Sequence, residues 1–275
     1  MLLRALLMTT LAGLSTGLGG LIVLWRAPGE RGVSFALGFA GGVMLSISFA
    51  DIAPAGLAYY RLCFPPFGAG CAAASLLLAG MAAAALAGGL LPEEDAALLT
   101  LACAADEEIP RMLPSPAAAD EAARRARALH CGLAVAGALL LHNLPEGVLT
   151  LFTGAADPRA GLRVTLAIAL HNIPEGISVA APLWYATRSR AKSAGAAFAS
   201  GLAEPCGALL AYFLLRGVLG AALLNGMQLF VAGVMSWVSV AELLLGGFSL
   251  GQGRAAAAGF ALGAACMILG IAALA

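Results

Sequence analysis

The segment Leu139-Leu140-Leu141-His142-Asn143-Leu144-Pro145-Glu146-Gly147-Val148 sets an imidazole, an amide and a carboxylate inside an apolar run. Ala169-Leu170-His171-Asn172-Ile173-Pro174-Glu175-Gly176-Ile177 repeats the arrangement. Both copies lie in stretches long and apolar enough to cross a bilayer, which takes about 20 residues. Ionisable groups at that depth are costly and mark an ion or substrate path. The same His, Asn and Glu, twice and in the same order, form a metal-ligand set. They predict a membrane carrier for a divalent transition metal.

Working outward, hydrophobic residues make up 61% of the 275 and charged residues 11%, with a mean hydropathy of +0.93. A soluble domain carries about 25% charge. The predicted fold is an all-α integral membrane protein, a single transmembrane domain over 1–275. Cutting the apolar stretches at span length gives eight transmembrane helices, roughly 2–25, 34–60, 67–91, 129–154, 161–186, 193–216, 221–247 and 256–274. The first is too long for the h-region of a signal peptide, and its glycines from Gly13 to Gly20 suit helix packing. Gly13/Gly17, Gly38/Gly42 and Gly259/Gly263 have the spacing of close helix crossings.

The net charge is zero, so no nucleic-acid partner is expected; the partners are metal ions and the lipid bilayer, with a homodimer as one candidate assembly. With both ends outside, the inner segments hold Arg26, Arg31, Arg111, Arg124, Arg125, Arg127, Arg188, Arg190, Lys192 and Arg254. The outer ones hold Arg4, Arg61, Arg159, Arg163 and Arg216. Ten against five favours this orientation. The charged stretch 92–128, between spans three and four, is then a cytosolic linker. Its residues 117–128 suit a short surface helix, acids early and arginines late. The linker has no His, and its acidic clusters read as a solvated loop. The six cysteines form no CxxC. Cys103 falls in the linker. Cys63 and Cys71 flank the second hairpin, where a disulfide would close it, but small apolar packing is the favoured reading.

His142 and Glu146 stand four apart and share a helix face, with Asn143 beside it; His171, Asn172 and Glu175 repeat this. Packed together, the two helices offer two imidazoles, two amides and two carboxylates to one pocket. Pro145 and Pro174 deprive the Leu141 and Leu170 carbonyls of their donors and predict kinked or broken helices lining a cavity. Glu204, in Gly201-Leu202-Ala203-Glu204-Pro205, is another buried acid beside a proline and reads as a ligand from a third helix. Asp51 and Glu242 lie nearer helix ends, where a station on the ion route and an acid facing headgroup water are equally good readings. His130 reads as interfacial. Imidazole with carboxylate suits zinc and iron, and the lack of thiolate argues against a tight structural zinc site. An intramembrane metal-dependent hydrolase is the alternative, but HExxH is absent and the symmetric doubling fits passage of an ion better. The chain is therefore expected not to be an enzyme.

Paired HN-x-PEG motifs, a long loop after the third of eight spans and Gly-Leu-Ala-Glu on the sixth resemble the ZIP family of metal-ion transporters, and within it the bacterial ZupT-type zinc transporters. The resemblance runs the whole chain. It implies a ZIP-type helix bundle with a binuclear site. His142, Glu146, His171 and Glu175 would form the first position; Asn143, Asn172 and Glu204, with Glu146 and Glu175 bridging, would form the second. It also implies uptake of Zn²⁺, with Fe²⁺, Mn²⁺ or Co²⁺ as further ions, by an elevator-like or alternating-access motion and without an organic cofactor. The chain departs from the family pattern on span seven, where Ala241 precedes Glu242 and Leu245 replaces a proline.

Overall fold

The computed structural model describes residues 2–25, 28–89, 116–214 and 220–274. Eight helices among them are long and apolar enough to cross a membrane. They are α1 (Leu2–Trp25), α2 (Glu30–Cys63), α3 (Pro66–Gly89), α4 (Pro116–Ala156), α5 (Pro158–Thr187), α6 (Arg190–Leu214), α7 (Ala221–Ser249) and α8 (Gly253–Leu274). Asp157 caps α5 by accepting from the Arg159 amide, 2.8 Å, with Pro158 as its first residue. Arg188, in a left-handed conformation, ends α5 before Ser189 caps α6.

Three local features differ from the expected ones. The helices carrying Pro145 and Pro174 run through both prolines unbroken. The interruption falls in α6 instead, at Leu202, so that Glu204 and Pro205 lie in the first turn of its second half, where a missing N–H costs little. Residues 117–128 form no separate surface helix: they are the start of α4, while residues 92–115, including Cys103, lie outside the described set. Cys63 and Cys71 are free and exposed.

Glycine lets the helix backbones touch, and the contacts come in matched pairs. α1 and α6 cross where a Cβ on Gly13 would lie 2.3 Å from the Gly201 oxygen and one on Gly201 would lie 2.1 Å from the Gly13 oxygen. Such reciprocity is the mark of a two-fold axis. α4 rests on α6 at Gly147, whose Cβ would lie 1.9 Å from the Glu204 oxygen; α5 rests on α1 at Gly176, 1.8 Å from that of Thr16.

The outer helices obey the same axis: Gly42 of α2 meets the Phe260 oxygen of α8, and Gly233 of α7 meets that of Leu77 in α3. α2 and α7 each carry a π-helical stretch, Ser48–Ile52 and Val238–Leu244. The sequence repeats there too: Gly42-Val43-Met44 leads to Ser48, Ala50 and Asp51, as Gly233-Val234-Met235 leads to Ser239, Ala241 and Glu242. Both serines donate to the carbonyl four residues back, at 2.8 and 2.7 Å. The axis therefore exchanges α1 with α6, α2 with α7, α3 with α8 and α4 with α5. Partners run in opposite directions, an inverted repeat of the kind that places sites between the halves.

α1, α4, α5 and α6 form one bundle; α2 pairs with α8 and α3 with α7 beside it. At the linker end, Glu30 of α2 holds the two groups together. Its Oε1 accepts from the Tyr185 hydroxyl at 2.8 Å and pairs with Arg124 Nε at 3.0 Å, while Glu121 pairs with Arg124, Arg125 and Arg188.

Candidate metal centre

Because α4 and α5 are antiparallel, the repeated motif meets itself crosswise. His142 Nε2 lies 3.2 Å from Glu175 Oε1, and His171 Nε2 lies 3.3 Å from Glu146 Oε1. The two pairs stack one helical turn apart along the bundle, about 5 Å. His142, Glu175, Asn143, Asn172 and Glu204 are wholly buried; His171 and Glu146 keep 2% and 6% exposure. The axis thus makes two levels from one motif, each with one imidazole and one carboxylate.

Buried charge is tolerated only when paired, and these pairs satisfy half of each group. The other half is open. Glu146 Oε2, Glu175 Oε2, Glu204 Oε2, Asn143 Oδ1, Asn172 Oδ1 and His142 Nδ1 are buried without a hydrogen-bond partner. Buried polar atoms in folded proteins are nearly always satisfied. These five oxygens and one nitrogen are buried polar atoms without partners, of the kinds that ligate cations.

The amide groups are aimed by their nitrogens. Asn143 Nδ2 donates to the Ser200 carbonyl at 3.2 Å, and Asn172 Nδ2 donates to that of Ala12 at 3.0 Å and to Glu204 Oε1. Each oxygen is left free to face inward. His171 Nδ1 donates to the Ala167 carbonyl, 3.0 Å, which fixes the ring with Nε2 toward the carboxylate. Gly147 brings the Glu204 backbone against α4, so the third-helix acid enters the group because of the motif's final glycine.

Of the seven predicted site residues, the structure brings His142 to Glu175, His171 to Glu146 and Asn172 to Glu204, while Asn143, next to His142, bonds the Ser200 carbonyl of α6. They are not drawn into one closed shell: among the described residues, no three His, Cys, Asp or Glu side chains already converge as a metal site. Each imidazole instead faces the carboxylate of the other helix.

On the side of the chain termini, a cavity of about 130 Å³ reaches Glu146 and His171. Asp51, Met227 and Gln228 line it with them, while His142 and Glu175 do not touch it. Glu242, the image of Asp51, lines a separate cavity on the linker side with Gly88, Gly137 and Leu141, which none of the seven residues borders. The Cys131 thiol donates to the Glu242 carbonyl at 3.3 Å. Half-buried His130 stays outside the central group. Sequence reasoning missed Gln228, Met227 and the motif glycines; for the glycines, their recurrence at the end of both motifs was the signal.

Fold and centre together define a multi-pass integral membrane protein with a polar ligand set buried at the crossing of an inverted repeat. Comparison with known proteins gives the particular family. Residues 113–272 match the family described as ZIP Zinc transporter. The "Zinc transporter ZupT" of Corynebacterium efficiens is 38% identical over 271 residues, covering 96% of this chain and 94% of that protein. That of Chlorobium limicola is 35% identical over 277 residues (97% and 96%), and that of Neisseria meningitidis 35% over 271 (96% and 93%). The chain belongs to the ZIP zinc transporter family.

Proposed function

We propose that the chain takes up zinc across the membrane, toward the cytosol, through a binuclear position between α4, α5 and α6. The observation that carries this is the set of partnerless oxygens around the two crossed imidazole–carboxylate pairs. Similar proteins bearing the name zinc transporter support the choice of ion. His142, Glu146, His171 and Glu175 hold the first ion. Asn143, Asn172 and Glu204 hold the second, with Glu146 and Glu175 shared. Two ions sharing carboxylates sit about 3.5–4 Å apart. Three carboxylates leave two dications with residual positive charge, which weakens the second ion and favours release over storage.

The residues act in order along the path. Asp51 and Gln228 meet the hydrated ion in the cavity on the terminal side, which is the outer side given the basic-residue count. Glu146 exchanges His171 for the ion first, because this pair borders the cavity; Glu175 exchanges His142 next. Glu30, Arg124 and Tyr185 keep the linker side shut meanwhile. Oxygen-rich coordination at the second position admits Fe²⁺, Mn²⁺ and Co²⁺ as further substrates.

Sealed liposomes containing only the purified protein test this. Time-dependent zinc accumulation is expected, with the other three metals competing. Accumulation no faster than in empty vesicles would end the transport reading, and zinc resistance in expressing cells would reverse the direction.

A further inference from the structure

The two-fold axis pairs every ligand-bearing helix with another, and at one position the pairing is chemically unequal. Gly201-Leu202-Ala203-Glu204 on α6 corresponds to Gly13-Leu14-Ser15-Thr16 on α1. The correspondence rests on contacts as well as letters. Asn143 donates to Ser200 and Asn172 to Ala12, each the residue just before its glycine. Gly147 abuts the Glu204 carbonyl as Gly176 abuts that of Thr16. Thr16 therefore stands where a second Glu204 would be.

Thr16 differs from the threonines that bond their own helix. Thr10, Thr165 and Thr187 each donate to the carbonyl four residues back, at 2.7, 2.8 and 2.7 Å. Thr16 is wholly buried and its Oγ1 has no partner. Its Cβ faces α6, 3.0 Å from where a Cβ on Gly201 would be. On the other half of the repeat, Glu204 reaches Asn172. Here the shorter side chain stops short of Asn143, and both oxygens, Asn143 Oδ1 and Thr16 Oγ1, are left open. Thr9 and Thr150 also lack partners, but neither is the image of a ligand.

Resting on the transport reading above, we propose that the Thr16 hydroxyl is a further ligand of the second, oxygen-rich position: the neutral counterpart, from α1, of Glu204. A hydroxyl offers lone pairs without charge. A glutamate in its place would add a fourth carboxylate and cancel the charge excess that lets the second ion leave. The asymmetry between Glu204 and Thr16 thus sets how tightly that ion is held, and as a hard oxygen donor Thr16 favours Mn²⁺ and Fe²⁺ over the softer Cd²⁺.

The test compares Thr16→Val, which keeps the shape and removes the hydroxyl, with Thr16→Ser, which keeps the hydroxyl. Equilibrium dialysis of the purified full chain against zinc counts bound ions, and liposome uptake gives KM, maximal rate and the Mn²⁺ to Cd²⁺ ratio. Thr16→Ser should match the wild type. Thr16→Val should hold the first ion normally, bind the second about tenfold more weakly, and raise KM without lowering the maximal rate. Mn²⁺ should lose more than Cd²⁺. Normal first-ion binding is the folding control. Wild-type binding of both ions by Thr16→Val would overturn the proposal. So would equal loss of both ions in Thr16→Val and Thr16→Ser, which would make Thr16 a packing residue. If the wild type moves no zinc, the transport reading alone fails, because dialysis still decides the hydroxyl.

Discussion

The pair His171–Glu146 and the pair His142–Glu175 have the same chemistry, nearly the same separation and opposite surroundings. The first borders a cavity with Asp51; the second is sealed beneath it. A perfect two-fold would give both pairs equal access. Access therefore comes from the helices around the motif, not from the motif. The Glu30–Arg124–Tyr185 cluster binds α2 to α4 and α5 at the linker end. Symmetric chemistry is thus given asymmetric access by the walls about it.

The harshest way to break the comparison is to remove one charge from each level. Glu146→Gln and Glu175→Gln should each cut zinc uptake on the order of a hundredfold, the scale of truncating one member of a desolvated charge pair. Radiolabelled zinc uptake at equal expression measures this. Substantial uptake by either variant would mean that one level suffices.

Next in size are the glycines that hold the levels in place. Gly147→Ala and Gly176→Ala push a methyl to within 2 Å of a backbone oxygen, at Glu204 and at Thr16. Each should destabilise the protein by about 1–3 kcal/mol or more, read as a lower melting temperature in detergent. A wild-type melting curve for either would show that the helices there stand farther apart than described.

Access itself can be read with an impermeant thiol reagent. Gln228→Cys, in the cavity that reaches Glu146, should label from outside intact cells and be protected by zinc. Ala134→Cys, in the Glu242 cavity, should not label. The reverse pattern would invert the orientation.

The smallest effects sharpen the comparison at the amides. Asn172 makes two hydrogen bonds and Asn143 one. At roughly 0.5–1.5 kcal/mol per bond, Asn172→Ala should lower stability more than Asn143→Ala. Asn143→Ala should retain measurable uptake with altered metal preference, checked by competition among zinc, manganese and cadmium.

Much of this was legible beforehand. Membrane helices declare themselves through length and apolarity, because unpaired backbone groups cannot face lipid. The eight spans accordingly follow the predicted cuts, except that α2 reaches Glu30 and Cys63 at its ends and α4 begins at Pro116 rather than 129. The repeated His-Asn-x-Pro-Glu-Gly supplied six of the seven candidate ligands, since no apolar core needs those groups twice. Proline was a partial guide. Of the kink or break that Pro145 and Pro174 suggested, the break does not occur, because a single lost donor in a long, well-packed helix is absorbed. The break at Leu202 had a quieter signal, the glycine before it and Pro205 after it. The π-helical stretches at Asp51 and Glu242 leave no compositional trace, though the repeated Gly-Val-Met before each was there to be read.

Residue order alone was enough for the class, a polytopic helical membrane protein with a doubled His-Asn-Glu set, because span length, hydropathy and side-chain chemistry are local properties. It could not say which imidazole meets which carboxylate. Spacing puts His142 beside Glu146 on one helix, yet each bonds across to the other copy. That crosswise pairing exists only once α4 and α5 lie antiparallel at contact distance. So too for Thr16, an unremarkable residue in α1 until the two-fold axis sets it opposite Glu204. Only tertiary packing, through glycines that let backbones touch, decided where the symmetry holds and where it fails.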